Sequence, residues 1–191
     1  MYKKYIDEIR KRLDDKRFNH SLCVAKEARR LAVKYGADAD KAELAGILHD
    51  ITKQASAAEH FEIINKYKLK LSEVELNAHK LWHSKTGAAV AKFELGIDDD
   101  EIIGAINYHT TAKADMTLLE RVLFLADFTS EDRDYEDVDI MRALTNYSME
   151  LAMTYALKYT ITDLLHKDVA IHPDTVAAYN YIKAKRGKDN E

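Results

Sequence analysis

Apolar residues recur mostly at three- and four-residue spacing, and no segment alternates convincingly with period two. In "YKKYIDEIRKRL" Tyr2, Ile6, Ile9 and Leu13 share one helical face. "FNHSLCVAKEARRLAVKYG" predicts a second helix closed by Gly36 just beyond its C-terminus. "ADKAELAGILHDITK" predicts a third, over residues 39–53. It has two buried faces: Leu44, Ile47, Leu48 and Ile51 on one, Ala42, Ala45, Gly46 and His49 on the other. "SAAEHFEIINKY", "SEVE" and "TLLERVLFLADF" each open with a capping box, Ser56 to Glu59, Ser72 to Glu75 and Thr117 to Glu120. "LWHSKTGAAVAKFELG", ended by Gly96, and "DDDEIIGAINYH" also read as helices. The acidic stretch "TSEDRDYEDVD" reads as a loop. Helices in "YSMELAMTYALKYTITDLL" and "PDTVAAYNYIKAK" follow, and then a frayed tail, "RGKDNE". The expected fold is all-α: one helical bundle over residues 1–191, its core in 17–144 and C-terminal helices in 146–186.

Six polar residues interrupt the apolar stripes. His20 heads Val24, Ala28, Leu31 and Tyr35. His49 extends the small face of the third helix, with Asp50 beside it. His83 heads Gly87, Val90 and Ala91; His109 ends Ile102, Ala105 and Ile106; Asp127 follows Leu119 and Leu123. One histidine on an apolar face is ordinarily a hydrogen-bonded core residue, and one buried Asp is ordinarily an ion-pair partner. Four imidazoles and two carboxylates on inward positions of five helices have a joint explanation in metal. Neutral imidazole and ionised carboxylate are ligands for divalent cations, and a cation offsets the cost of burying the carboxylates. Six ligands exceed what one catalytic ion with an open position uses, and suit two. Two ions about 3.5–4 Å apart are a recurrent arrangement for hydrolysing phosphate esters. The other histidines, His60, His79, His166 and His172, read as surface or packing residues, with His79 one turn before His83.

Composition narrows the function class. One Pro and six Gly in 191 residues leave few helix breakers. A net charge of −4 provides no field for nucleic acid, so no such partner is expected. The lone Cys23 excludes an internal disulfide and a Cys-based zinc site. "MYKKYIDEIRKRL" is charged throughout, unlike a signal peptide. The longest strongly apolar run, "VLFLA", is too short to span a membrane. A cytoplasmic location with no membrane partner is the expectation.

The ordered set His…His-Asp…His…His…Asp resembles the HD-domain metal-dependent phosphohydrolases. It is carried by "RFNHSLCVAKEARRLAVKYGADADKAELAGILHDITK", "HSKTGAAVAKFELGIDDDEIIGAINYHTT" and "LLERVLFLADFTSEDRDYEDVDIMRAL". The closer similarity is to the YqeK family, the HD-type symmetrical bis(5′-nucleosyl)-tetraphosphatases, over residues 17–144. The family pattern usually has a small apolar residue where Thr52 stands, and Pro and Gly in the loop that is acidic here. The resemblance implies an HD-type bundle with two divalent metal ions, iron first, and manganese, zinc, nickel or magnesium as other candidates. Matched residue by residue, His20, His49, Asp50 and Asp127 hold one ion, and Asp50, His83 and His109 the other, with Asp50 bridging. The implied reaction is symmetrical cleavage of diadenosine tetraphosphate to two ADP. Asp50 and His49 are central to activating a metal-bridging hydroxide, and no separate protein base is assigned. Lys53, Arg133 and Arg17 are the expected phosphate-binding cations, and Tyr135 is a candidate to stack on a base. Thr86, Thr110 and Thr111 lie near the ligands in sequence. A homodimer is compatible with this reading. The alternatives are an HD-type nucleotidase or phosphodiesterase acting on another nucleotide, a non-catalytic metal- and nucleotide-binding sensor, and a plain bundle with structural histidines.

Overall fold

The computed structural model describes residues 2–188. Among these are eleven α-helices and no strand. They are α1 (Lys3–Arg12), α2 (Asp15–Tyr35), α3 (Ala39–Leu48), α4 (Ala57–Tyr67), α5 (Glu73–Asn77), α6 (Trp82–Ala89), α7 (Asp100–Tyr108), α8 (Leu118–Thr129), α9 (Val138–Tyr147), α10 (Met149–His166) and α11 (Pro173–Lys188). A 3-10 turn, His79–Leu81, precedes α6, and a π-helical turn, Val90–Glu94, follows it. No helix among the described residues is long and apolar enough to cross a membrane.

Helix ends follow the local chemistry. The capping boxes at Ser56, Ser72 and Thr117 all form. Gly36 adopts the left-handed conformation (φ 79°) that closes α2, which a side chain would resist. The helix α2 packs along α3 and α8, and α7 packs against α8, α6 and α3. The C-terminal α10 lies on α9, α11 and α8. Both expected apolar faces of α3 are buried, including Ala42, Ala45, Ile47 and Leu48. A Cβ at Gly46 would sit 2.5 Å from Ala25 Cα, so only glycine admits this approach of α3 to α2. That contact brings the end of α3 up to His20.

Several expectations about element bounds are corrected. The helix expected over 39–53 stops at Leu48, and tight turns replace it: Ile51, Lys53 and Ala55 donate to Leu48, Asp50 and Thr52, three residues back. At this end His49 Nδ1 donates to the Gly46 carbonyl at 2.7 Å, the oxygen that a continuing helix would offer the Asp50 amide. Second, the loop expected over 129–139 ends earlier, because α9 starts at Val138 and was not expected; its acidic start hides an apolar face of Val138, Met141 and Leu144. Tyr147, expected to open the next helix, instead closes α9, and Ser148 caps α10. Third, α6 gives way to the π turn before Gly96. The tail expected to fray over 186–191 is helical to Lys188, and 189–191 lie outside the described residues.

Candidate metal centre

His20 comes from α2, His49 and Asp50 from the end of α3, His83 from α6, His109 from the end of α7 and Asp127 from α8. Five of these are at most 3% exposed, and the Asp127 side chain is 19% exposed. The fold therefore gathers all six residues singled out in the sequence. Three trios have ligand atoms within 4.8 Å of one another: His20, His49 and Asp50; His49, His109 and Asp127; Asp50, His83 and His109. The second trio joins Asp127 to His109, a proximity the sequence did not suggest.

Each histidine is oriented through its other nitrogen. His49, His83 and His109 place Nδ1 against the carbonyl three residues upstream, on Gly46 (2.7 Å), Lys80 (2.8 Å) and Ile106 (2.7 Å). A carbonyl only accepts, so the proton lies on Nδ1 and Nε2 keeps its lone pair. His20 differs: its Nδ1 meets the Asp132 carboxylate at 2.7 Å and its Nε2 meets Asp127 Oδ1 at 3.0 Å. Carbonyl or carboxylate partners of this kind fix a ligating imidazole and raise its basicity.

Asp50 divides its oxygens between two histidine pairs. Oδ2 lies 3.4 Å from His49 Nε2 and 4.0 Å from His20 Nε2. Oδ1 lies 3.3 Å from His83 Nε2 and 3.7 Å from His109 Nε2. His83 Nε2 and His109 Nε2 face each other at 3.1 Å, two lone pairs with no proton of their own between them. Asp50 Oδ1 and His49 Nε2 are buried without a hydrogen-bond partner. Buried polar atoms are ordinarily satisfied, and these converge on shared space. A divalent cation satisfies them all, so the donor set fits metal.

The electrostatics agree. Burial alone would raise the Asp50 pKa, but the surroundings, the Lys53 ammonium among them, outweigh it and hold the carboxyl well below the usual range. Burial likewise opposes ionisation of Asp127, and Arg133 and His20 reverse the balance. Burial, with Lys53 and His109 adjacent, pushes His83 well below its ordinary value and keeps it neutral. Both carboxylates are charged and His83 is uncharged, the forms that bind metal.

Three cations ring the cluster. Arg17 Nη1 is 2.8 Å from Asp50 Oδ2. Lys53 Nζ is 3.0 Å from His83 Nε2 and 3.9 Å from Asp50 Oδ1, and burial lowers its pKa. Arg133 binds the Asp127 carboxylate through Nη2 and the Asp127 carbonyl through Nε at 2.7 Å. Tyr135 does not join them: its hydroxyl donates to the Phe128 carbonyl and its ring packs on Tyr159, and neither contact reaches the cluster. Thr110 Oγ1 touches both His109 Nε2 (3.1 Å) and His83 Nε2 (3.2 Å). Thr86 is buried between Trp82, Thr52 and His60, and Thr111 donates to the Ala112 carbonyl. His79 is exposed, with its ring 4.3 Å from that of Trp82.

Two contributors were not read from the sequence. Asp132 is one of six acids from Glu131 to Asp139, and nothing in the pattern separates it from the others. Gly46 was read as a small residue on a packing face; its role as acceptor for His49 depends on where the helix ends.

A family model for the HD domain matches residues 17–132. A protein of Bacillus subtilis (strain 168) named symmetrical bis(5′-nucleosyl)-tetraphosphatase is 34% identical over 91% of this chain and 93% of its own length. A protein of the same name from Halalkalibacterium halodurans is 36% identical, over 94% of this chain and 95% of its own. The solved structure of a predicted HD superfamily hydrolase involved in NAD metabolism from Clostridium acetobutylicum superposes with a TM-score of 0.93. It is 32% identical, and the match covers 97% of this chain and 98% of the other. With its histidines and aspartates gathered in the order of that motif, the chain belongs to the HD domain family, in the group of the symmetrical bis(5′-nucleosyl)-tetraphosphatases.

Proposed function

We propose that this chain hydrolyses diadenosine tetraphosphate symmetrically, to two ADP, at a site for two divalent metal ions, with iron the first candidate. The observation that carries the reading is the division of Asp50, one oxygen toward His20 and His49 and the other toward His83 and His109. His20, His49, Asp127 and Asp50 Oδ2 would hold one ion, and His83, His109 and Asp50 Oδ1 the other. The names of the relatives supply the substrate. When bound, such ions lower the pKa of water toward neutrality and neutralise phosphoryl oxygens.

The chain's own residues do the rest. Asp132 and the three backbone carbonyls hold the imidazoles in one orientation, so no reorganisation is needed when substrate arrives. Arg17, Lys53 and Arg133 keep about a third of their side chains exposed, 29%, 33% and 34%. They reach from the carboxylates toward solvent, where the outer phosphates of a tetraphosphate need positive charge. Water adds to one inner phosphorus and the bond to the oxygen bridging the two inner phosphates breaks. That oxygen leaves on the second ADP, and the proton of the water passes to solvent. In this reading α1 to α11 form one catalytic unit.

Chromatography of early products from metal-loaded protein tests the proposal. ADP alone is expected. ATP with AMP, or no turnover by fully metallated protein, overturns it.

A further inference from the structure

A cavity of about 680 Å³ adjoins the cluster between α5, the 3-10 turn, and the α10–α11 connection. It meets the metal centre at Thr110, whose hydroxyl lies within 3.2 Å of both His83 Nε2 and His109 Nε2. We propose that this cavity receives the nucleoside of the substrate half whose phosphates lie on the cluster. The inference rests on the functional reading above and gives it a nucleoside subsite.

Four features point to that occupant. First, the volume falls within the roughly 300–1,000 Å³ of small-molecule sites. Second, the lining suits a base and a sugar. The lining combines apolar Val74, Leu164 and Val169 with polar Asn77, Thr160 and Thr175. Val169 leaves 51% of its surface exposed, an apolar area that a purine would cover. Third, the lining contains no carboxylate, although the chain carries a net charge of −4. Nothing in the wall repels a phosphate-bearing ligand, and Lys80, which makes no ion pair among the described residues, stands at the same wall. Fourth, the walls are tied together in advance. Thr175 Oγ1 donates to the Thr111 carbonyl at 2.7 Å, and Ser72 Oγ meets His172 Nε2 at 3.2 Å. The first bond anchors the start of α11 to the segment following His109, so the cavity and the metal ligand share one rigid support. A preformed pocket spends little binding energy on ordering.

Binding of ADP and of inorganic pyrophosphate by metal-loaded protein, measured by calorimetry, tests this without turnover. Both probes present a diphosphate, and only ADP presents a nucleoside. Wild type should bind ADP at least about tenfold more tightly than pyrophosphate. Ala170→Trp, at an exposed position of the wall, should bring that ratio close to one by filling the cavity. Thr160→Phe, from α10, should do the same and guards against a local misfolding of either variant. A wild-type ratio near one, or an ADP preference that survives both substitutions, overturns the subsite. The functional reading is judged separately: an ADP preference lost in both variants, in a protein that does not hydrolyse diadenosine tetraphosphate, supports the subsite and overturns the reaction.

Discussion

Asp132 Oδ2 lies 2.7 Å from His20 Nδ1, and the opposite nitrogen of the same ring faces Asp127 Oδ1 at 3.0 Å. A loop carboxylate thus orients the one cluster histidine whose Nδ1 is not held by a carbonyl three residues upstream. Asp132 is in turn fixed by the Ser130 hydroxyl at 2.8 Å. Removing such a partner typically costs 10–100-fold in metal affinity. Asp132→Ala should therefore weaken metal binding by about that factor in a chelator-competition titration. Asp132→Asn, which retains an accepting oxygen, should lose less. Equal affinity for wild type and Asp132→Ala would show that the loop does not orient His20.

Asp50 is the residue both halves of the cluster share. Asp50→Ala should lower bound metal toward zero and abolish turnover, while far-UV circular dichroism remains helical. His79→Ala is the control for metal content, since the exposed His79 ring contacts Trp82 and no cluster residue. Elemental analysis of the two variants should separate them cleanly. Undiminished metal in Asp50→Ala would remove Asp50 from the ligand set.

The fold class was legible because the apolar spacing and the three capping boxes act locally. The cluster was legible because histidines and aspartates at inward positions carry a cost that metal offsets. What escaped depends on contacts distant in sequence or on competition at helix ends. Asp132 matters through a bond spanning 112 positions, invisible among its acidic neighbours. The break after Leu48 coincides with a side chain on a backbone acceptor, His49 on Gly46, which hydrophobic periodicity does not register. The start of α9 was obscured because five acids, Glu131 to Asp137, run directly into it, while the helix itself buries Val138, Met141 and Thr145.

Lys53 and Arg133 should behave differently. The Lys53 amide donates to the Asp50 carbonyl, a bond that substitution leaves in place, and its side chain reaches His83 and Asp50, so Lys53→Met should keep full metal while kcat/KM falls about 10- to 100-fold, the loss of one charge-assisted contact of about 1.5–3 kcal/mol. Arg133 holds both the carboxylate and the carbonyl of Asp127, and its own carbonyl accepts from Arg142 at 2.9 Å. Arg133→Ala should accordingly lose metal as well as activity. Arg133→Lys should keep the charge but not the forked contact, and so lose less than Arg133→Ala. Unchanged kinetics in Lys53→Met would withdraw its phosphate role.

Gly46→Ala pits two effects against each other. Alanine is favoured over glycine inside a helix by about 1 kcal/mol. Its Cβ, however, would lie 2.5 Å from Ala25 Cα and 2.8 Å from Ala25 N, backbone atoms that move only with α2. Overpacking of this kind costs about 1–3 kcal/mol, so the clash should win and Tm should fall. Gly87→Ala is the comparison: its nearest contacts would be ordinary, at 3.5 Å, and Tm should hold or rise. A rise in both variants would mean that α3 does not need the close approach to α2.

The buried Glu75 should make stability pH-dependent away from the metal centre. Burial would raise its pKa, but Lys85 Nζ at 2.7 Å and the Ser72 amide at 2.7 Å outweigh this and lower it from its ordinary 4.5. The folded chain therefore binds this proton more weakly than the unfolded chain does. Its stabilisation is fully present above the unfolded value and is lost as pH falls through the folded one. Glu75→Gln keeps the shape and removes the charge opposite Lys85. A charge-assisted bond of this kind is worth about 1.5–3 kcal/mol, and each kcal/mol moves Tm by about 2–4 °C in a chain of this size. Glu75→Gln should thus melt several degrees below wild type at pH 7. The two melting curves should converge as the pH drops below about 4.5, where the wild-type carboxylate takes up its proton. Comparing the two proteins at each pH cancels the titration of the other acids. A gap in Tm that stays constant from pH 7 to pH 3 would show that the Glu75–Lys85 charge pair contributes nothing beyond the shape of the side chain.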